Sequence, residues 1–558
     1  MPSKTLPPDD DAPGEDAIPE PQSAQRGRRN VVVGTLIMMA GILGSRILGL
    51  VRDRIITHKF GQSADTDIYN SAFNIPDLVF FLLAGGALSA AFVPVFTEYL
   101  EKGQKKEAWR VFSVVAFVMT CILIVVITLG EIFAVPLVRV TNQGWKEWQV
   151  IECARLTRIL LPAQLCFFLG GLMMGTLTAR NIFIGQSLGP VIYNLGIIFG
   201  GVVLTTWFGV TGLCYGAILG AVIGNFCYQW YLVRKSGGYF VRTDMLKHLK
   251  HPGAIKVWKL MLPVILGLAL PQISTIIGRM FAAALDHGAQ SALTNAFRLM
   301  QVPLGVFAQA TAIAIFPTMA AQAARGEIRE LRGSVSFGIR SILFLTIPSS
   351  VLMLVLALPF VQLILQSGKF STTDAEVTAS VLRCYSLGVF AWSAQSILAR
   401  GFYALQDTRT PVIVGSLLTL VFVPLNFPFR DWWGINGLAL AISLPAIVQM
   451  LVMLWRLRIR LGGIEGGRIL LSTVRIVIAS AVMGVTAYWV QRGMEYLVSG
   501  QSLSASARAA VTLLGSVGVS VGVYILMAMA LRMEEAAVLN RLTKKFRRKR
   551  VSGNSSPG

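Results

Sequence analysis

Gly209-Val210-Thr211-Gly212-Leu213 returns 225 residues later as Gly434-Ile435-Asn436-Gly437-Leu438. Other echoes flank this pair at almost the same spacing. Pro190-Val191-Ile192 reappears as Pro411-Val412-Ile413, Phe92-Val93-Pro94 as Ile315-Phe316-Pro317, and Ser71-Ala72-Phe73-Asn74 as Asn295-Ala296-Phe297-Arg298. One unit is therefore written twice. Hydropathy says what kind of unit it is: 54% of the 558 residues are hydrophobic, 14% are charged, and the mean hydropathy is +0.63. Apolar runs of about 20 residues, the length that crosses a bilayer core, recur about fourteen times between residues 31 and 531. Six spans separate the two copies, and six is even, so both copies enter the membrane in the same sense. Two parallel lobes about an axis along the membrane normal follow, an arrangement that places a transported substrate between them.

The expected fold is thus an all-α polytopic membrane protein of about 14 transmembrane helices, built as two parallel six-helix lobes plus two C-terminal helices. Spans 1–6 form an N-lobe over 30–235, a cytoplasmic linker covers 236–257, and spans 7–12 form a C-lobe over 258–460. Spans 13 and 14, within 461–535, have no counterpart in the duplication. Residues 1–29 are polar and Pro-rich with no apolar run, and read as a disordered cytoplasmic tail. No cleavable signal peptide is expected ahead of span 1. Residues 536–558 read as a basic cytoplasmic tail.

A formal charge of +22 invites a nucleic-acid reading, but the charge lies in alternate loops. Lys102, Lys105, Lys106 and Arg110 follow span 2, Arg234, Lys235, Lys247 and Lys250 follow span 6, and Arg325, Arg329 and Arg332 follow span 8. The loops after spans 5 and 7 are nearly free of Lys and Arg. By the positive-inside rule both termini are cytoplasmic, and no nucleic-acid partner is implied. Lys105 and Lys247 are expected inside, Lys146 and Lys369 outside. The first loop, with Arg52, Arg54 and Lys59, breaks the alternation. The six cysteines lie in or beside spans without metal-ligand spacing and read as reduced packing residues.

The exception leads to Ser45-Arg46-Ile47-Leu48-Gly49-Leu50-Val51-Arg52-Asp53. An ionised side chain at the centre of a membrane helix costs roughly 2.5–3.5 kcal/mol, so arginines there face water, a partner or a ligand. Guanidinium groups are permanently charged and grip phosphate oxygens through paired hydrogen bonds, which points to an anionic cargo. Six residues turn a helix by about 600°, so Arg46 and Arg52 do not share a face unless Gly44 and Gly49 supply a bend. Asp53, Asp67 and Asp77 are candidates to neutralise arginines or relay charge, with capping and interfacial solvation as the simpler roles. A drug exporter taking cationic cargo would want carboxylates in its cavity, and Arg46 and Arg298 argue against that reading. A membrane-embedded transferase needs acidic metal-binding clusters at the membrane face, and the one aspartate run, Asp9-Asp10-Asp11, lies in the tail.

The arginine stretch, Phe60-Gly61, Thr66-Asp67, Gly86-Ala87-Leu88-Ser89, Ala91-Phe92-Val93-Pro94 and above all Gly401-Phe402-Tyr403-Ala404-Leu405-Gln406-Asp407-Thr408-Arg409-Thr410-Pro411-Val412 resemble the MurJ/MviN lipid II flippases. The resemblance runs over roughly residues 31–535. It implies the fold of the multidrug/oligosaccharidyl-lipid/polysaccharide exporters, a polyprenyl-pyrophosphate-linked glycan (lipid II or a relative) as cargo, membrane lipids as the other partner, and a functional monomer in a bacterial cytoplasmic membrane. Carried over by position, the family's cargo-binding arginines fall on Arg46, Arg52 and Arg298. Asp53, Asp67, Asn74 and Asp77 are candidate supporting residues beside them. Two departures stand out. The family's span-2 arginine is Phe80 and a nearby acidic site is Gly85, while the acidic neighbour of the span-8 arginine is Phe297. The resemblance also implies that spans 13 and 14 line a groove for the polyprenyl tail.

No cofactor is expected. Coupling rests on a monovalent cation or on the membrane potential. Some family members are thought to hold sodium through carboxylates on spans 7 and 11, but Leu260–Leu285 and Val412–Phe429 contain no Asp or Glu, leaving Asn426 as a weak metal ligand. The potential is the expected drive.

Overall fold

The computed structural model describes residues 22–83, 87–180, 182, 184–241, 249–499 and 504–536, and helix is the only regular secondary structure among them. In the N-lobe these are α1 (Gln22–Phe60), α2 (Ala64–Ala72), α3 (Asn74–Leu83), α4 (Ala87–Glu101), α5 (Lys105–Ile132), α6 (Ala134–Thr141), α7 (Glu147–Leu160), α8 (Ala163–Ala179), α9 (Ile184–Phe199), α10 (Thr205–Phe208), α11 (Thr211–Gly220) and α12 (Tyr228–Lys235). The C-lobe follows with α13 (Pro252–Ala283), α14 (Ala289–Pro303), α15 (Gln309–Ala324), α16 (Ile328–Val355), α17 (Ala357–Leu365), α18 (Thr372–Ser386), α19 (Val389–Ala404), α20 (Arg409–Phe422) and α21 (Asn426–Leu461). The last two helices are α22 (Gly466–Ser499) and α23 (Ala505–Ala530).

The duplicated motif has one conformation in both lobes. Gly209 sits at φ 55°, ψ −138° and Gly434 at φ 55°, ψ −131°, a region that side chains with a Cβ avoid. The second glycine of each motif packs where a Cβ would strike the backbone eight residues back: Leu204 for Gly212 and Phe429 for Gly437. Each copy thus reverses the chain between two packed helices. The second reversal lies inside a continuous stretch of 53 residues, Arg409–Leu461, that accommodates two passes.

Eight of the described helical stretches are long and apolar enough to cross a membrane by length and composition. The second segment is divided into α2, α3 and α4, its first break at Phe73. Two sequence-based boundaries move. The tail expected to reach residue 29 is helical from Gln22, because the basic stretch before span 1 extends the same helix. The linker expected over 236–257 gives way to α13 at Pro252, whose first turns bury Ala254, Val257 and Met261 in the N-lobe core with Phe92, Phe96, Trp109 and Phe112. Proline suits that first helical turn, and the His251 side chain caps it by accepting from Gly253 N. The expected tail residues 1–21 and 537–558, along with Lys247, lie outside the described residues.

Each lobe stacks two cores. In the N-lobe, α1, α2, α6, α7, α9 and α11 bury Ile68, Tyr69, Leu156, Leu160, Ile197 and Leu213, while the second core is that of α4, α5 and α8. In the C-lobe, Ala296, Leu299, Val361, Leu382 and Leu438 form one core, and Leu331, Ile339, Ile397, Phe402 and Leu457 another. The second C-lobe core also takes Ile476, Ala479 and Met483 of α22 and Tyr524 of α23, which fastens the unpaired helices to α16. Arg340, nearly buried, ties down the segment after α23 through Glu534 at 2.7 Å and Glu535 at 3.1 Å.

The sequence Gln406-Asp407-Thr408-Arg409 is the expected joint between two spans. Gln406 takes φ 59°, and Asp407 accepts from Thr410 N (3.0 Å) and Thr410 Oγ1 (2.7 Å), so its carboxylate caps the start of α20. Burial alone would raise its pKa, but these hydrogen bonds hold it below the usual carboxylate value.

Candidate functional site

The lobes are fastened together at one end, which we term the closed end. There Asp67 on α2 reaches across to the N-terminus of α14: its carboxylate accepts from Gly288 N (2.6 Å), Ser291 N (2.8 Å) and Ser291 Oγ (2.6 Å). An anion at a helix N-terminus satisfies orphan N–H groups and meets the positive end of the dipole. Gln290 donates to Asn142 Oδ1 (3.1 Å) and bonds Ser71, and Lys369 N donates to His58 O (2.9 Å). Lys146 and Lys369 therefore border the same end. Arg54 sits beside the last turn of α17, donating to Leu363 O (2.5 Å), Ile364 O (3.3 Å) and Ser506 Oγ (3.2 Å). A cation at a helix C-terminus is the complementary device to Asp67. Lys59 is likewise engaged, with Val202 O and Thr205 Oγ1. The excess charge of the first loop is thus used in joining helices.

Next in from the closed end lies an ion cluster. Asp53, 4% exposed, accepts at a single oxygen, Oδ1, from Arg52 Nε (3.0 Å), Arg52 Nη2 (2.8 Å) and Arg298 Nη1 (2.8 Å). Arg52 also donates to Asn194 Oδ1 on α9 (3.0 Å). One carboxylate so holds two guanidiniums from opposite lobes. Arg46 is on the same helix but points elsewhere, donating to Gln301 O (3.2 Å), one turn along α14 from Arg298. It is seated where α14 widens into a π-helical turn, Leu304–Ala308, and a Cβ at Gly305 would lie 2.3 Å from its Cζ. α1 is one continuous helix, and Gly44 and Gly49 face open space, so the bend expected from them is not needed. The two arginines diverge as the helical turn requires, and α14 curves past both.

The other expected residues fall around this cluster. Asn74, buried, accepts from Arg279 Nη1 at 2.5 Å, while its own amide Nδ2 has no partner. Asp77 lies within electrostatic reach of Arg279 and Arg298 but pairs with neither. It lines a pocket of about 230 Å³ with Phe80, Phe81, Gln164 and Tyr193. Phe80 packs edge-on against Phe81 and Phe167, with ring centroids 5.4 and 5.5 Å apart, and Phe297 packs similarly on Tyr385 at 5.6 Å. At both departures from the family pattern an aromatic contact takes the place of a charge. Gly85 lies outside the described residues. Asn426 donates to Val423 O (2.9 Å) and lines a C-lobe cavity of about 440 Å³ with Arg279, Arg298, Gln301 and Trp392. No cluster of three His, Cys, Asp or Glu side chains suited to a metal ion occurs among the described residues. Two residues escaped the sequence reading. Arg54 stood only among the charges of the first loop, and Arg279 was hidden in a run assessed only for its lack of carboxylates.

Two like lobes, closed at one end over a cation-lined centre, define a multi-pass membrane transporter. A family model described as "Lipid II flippase MurJ" matches residues 56–507. The chain belongs to that family. Among curated relatives, the "Probable lipid II flippase MurJ" of Vibrio cholerae is 29% identical over 523 residues, covering 90% of this chain and 96% of the relative. The "Lipid II flippase MurJ" of Burkholderia cenocepacia is 29% identical, with 76% and 83% covered. A solved structure titled "Lipid II flippase MurJ, inward closed conformation" matches with a TM-score of 0.74 at 24% identity, covering 89% of this chain and 99% of that one. An inward-facing multidrug transporter of the MATE family matches at 0.61 and 17% identity, with 75% and 94% covered, which reflects fold alone.

Proposed function

We propose that this protein moves lipid II, the polyprenyl-pyrophosphate-linked peptidoglycan precursor, from the inner to the outer leaflet by alternating access of its two lobes. Family membership supports the cargo. One observation carries the mechanism: Asp53 Oδ1 joins Arg52 of the N-lobe to Arg298 of the C-lobe. A bound pyrophosphate offers the same guanidiniums more oxygens than the carboxylate does, so cargo replaces a protein bond with a stronger, bidentate set. Arg46, Arg52 and Arg298 hold the pyrophosphate in this reading. Asp53 serves as their counter-ion, Asp67 and Asn74 serve the interlobe contacts, and Asp77 adds diffuse charge. The exposed apolar faces of α22 and α23, with Leu470, Leu471, Leu514 and Leu526, suit the polyprenyl tail, and the working unit in this reading is a single copy of the chain.

The closed end faces outward in this reading, with both termini in the cytoplasm. Cysteines placed at Lys146 and Lys369 should react with an impermeant maleimide in intact cells, and one at Lys105 should not. Reaction at position 105 would reverse the orientation. The cargo itself is tested by complementation: the chain should restore growth to a strain depleted of its lipid II flippase. Failure of a well-expressed protein to do so favours a different polyprenyl-linked glycan.

Membrane potential is the proposed drive. Each negative charge carried outward from an inside-negative cell gains roughly 2.3 kcal/mol per 100 mV, and a pyrophosphate carries about two. Transport should therefore stop when the potential is collapsed and should persist when sodium is replaced by a larger cation at constant potential. Strict sodium dependence at a clamped potential would show that a cation site, with Asn426 the first residue to examine, couples the cycle.

A further inference from the structure

The duplication makes Asn74 and Arg298 equivalent positions, 224 residues apart. Each is met by the first helix of the opposite lobe. Arg298 receives Asp53 of α1, and Asn74 receives Arg279 of α13. The two contacts are alike in place and unlike in charge: the first is an ion pair whose carboxylate is shared with Arg52, the second a guanidinium against an amide oxygen. Among the described residues Arg279 forms no ion pair, and Asn74 Oδ1 is the one acceptor its side chain finds. A guanidinium has five N–H donors, so most remain uncommitted. They are not sealed in the protein, since no atom of Arg279 is among the buried polar atoms without a partner. Arg279 and Arg298 line the same 440 Å³ cavity, whose walls also carry the polar groups of Gln301, Thr294 and Gln449. Arg298 feels the charge of both Arg52 and Arg279.

We propose that Arg279 is a further cargo-binding cation, which grips the diphosphate from the C-lobe side together with Arg298. This rests on the reading of the cargo as a polyprenyl diphosphate. Arg279 adds charge to the centre from span 7, against the first residue of α3, the helix whose Phe80 and Phe81 form an aromatic cluster with Phe167 of α8. Four guanidiniums, from Arg46, Arg52, Arg279 and Arg298, then stand against the two carboxylates of Asp53 and Asp77. The surplus matches the roughly two charges of a diphosphate diester. The competing role is that of a clasp, in which Arg279 merely ties α13 to α3 through Asn74.

Charge separates the two. Full-length protein in nanodiscs is titrated with farnesyl diphosphate and, in parallel, with farnesyl monophosphate, for wild type, Arg279→Gln, Arg279→Lys and Arg298→Gln. Wild type should prefer the diphosphate. Arg279→Gln keeps an N–H donor for Asn74 but loses the charge, and should bind the diphosphate at least about tenfold more weakly while narrowing its preference over the monophosphate. Arg279→Lys should fall between, because a point charge replaces the planar fork. It also keeps the test decisive if the glutamine variant fails to fold, since a lysine variant equal to wild type in both affinities, or one that loses both in proportion, overturns the proposal. Diphosphate binding unchanged in Arg279→Gln but weakened in Arg298→Gln assigns Arg279 to the clasp and leaves the cargo reading intact. No preference for diphosphate in wild type overturns both.

Discussion

Arg298→Ala is expected to abolish complementation and to reduce transport of the lipid-linked precursor by more than about a hundredfold, with Arg298→Lys recovering little of it. Arg298 is the C-lobe's grip on the Asp53 cluster, through a 2.8 Å charge-assisted bond. Asp53 keeps Arg52 and the Arg298 side chain is 32% exposed, so loss of this charge-assisted bond alone costs roughly 1.5–3 kcal/mol. Here the loss falls twice: the resting state loses its link between lobes, and the loaded state loses a bidentate phosphate contact. Lysine restores the charge but not the second hydrogen bond. Growth of the depleted strain and flux of labelled precursor measure the effect. Transport within threefold of wild type would remove Arg298 from the site.

Asp67→Ala should release the closed end. The substitution removes three hydrogen bonds to the start of α14 and leaves its N–H groups without an acceptor inside a joint between lobes. Bonds to a charged acceptor contribute about 1.5–3 kcal/mol each, so closure should weaken by on the order of 3 kcal/mol or more, enough to erase a hundredfold population ratio. Spin labels at the exposed positions Asp65 and Asp286 report the change as a longer, broader distance distribution. A distribution like that of the otherwise unmodified protein would mean that the Gln290 and Lys369 contacts suffice. Asp67→Asn should fall between, since an amide oxygen still accepts but carries no charge to meet the dipole.

The architecture was legible in the sequence because its signals are local. Gly209 and Gly434 announce a backbone angle that few other residues tolerate, and their equal surroundings follow from chain reversal at the same point of each copy. The arginines of α1 stood out because a charge among apolar neighbours needs a reason. Their partners were not legible. Arg46 and Arg52, six residues apart on one helix, end on Gln301 and on Asp53, and the difference arises from where α14 passes. Arg54 and Arg279 were missed because each finds its partner in the other lobe, at Leu363 and Asn74. No periodicity encodes such a meeting. Helix ends moved for a similar reason, as α13 begins early because Trp109 and Phe112 give its first turn something to pack on.

Asp53 also bears on what the protein keeps out. A permanently cationic chamber open to the cell interior would be a trap for chloride, free phosphate and nucleotides. A carboxylate tethered beside its guanidiniums competes with all of these at an effective concentration far above that of a dissolved ion, commonly millimolar or higher. A small monovalent anion offers no more than the carboxylate already supplies, and is turned away. A ligand whose two linked phosphates engage several arginines together, delivered from the bilayer on its own anchor, competes on the same tethered terms. On the proposed reading Asp53 is a stopper displaced by multivalence, which keeps the idle carrier silent in a cytoplasm crowded with anions.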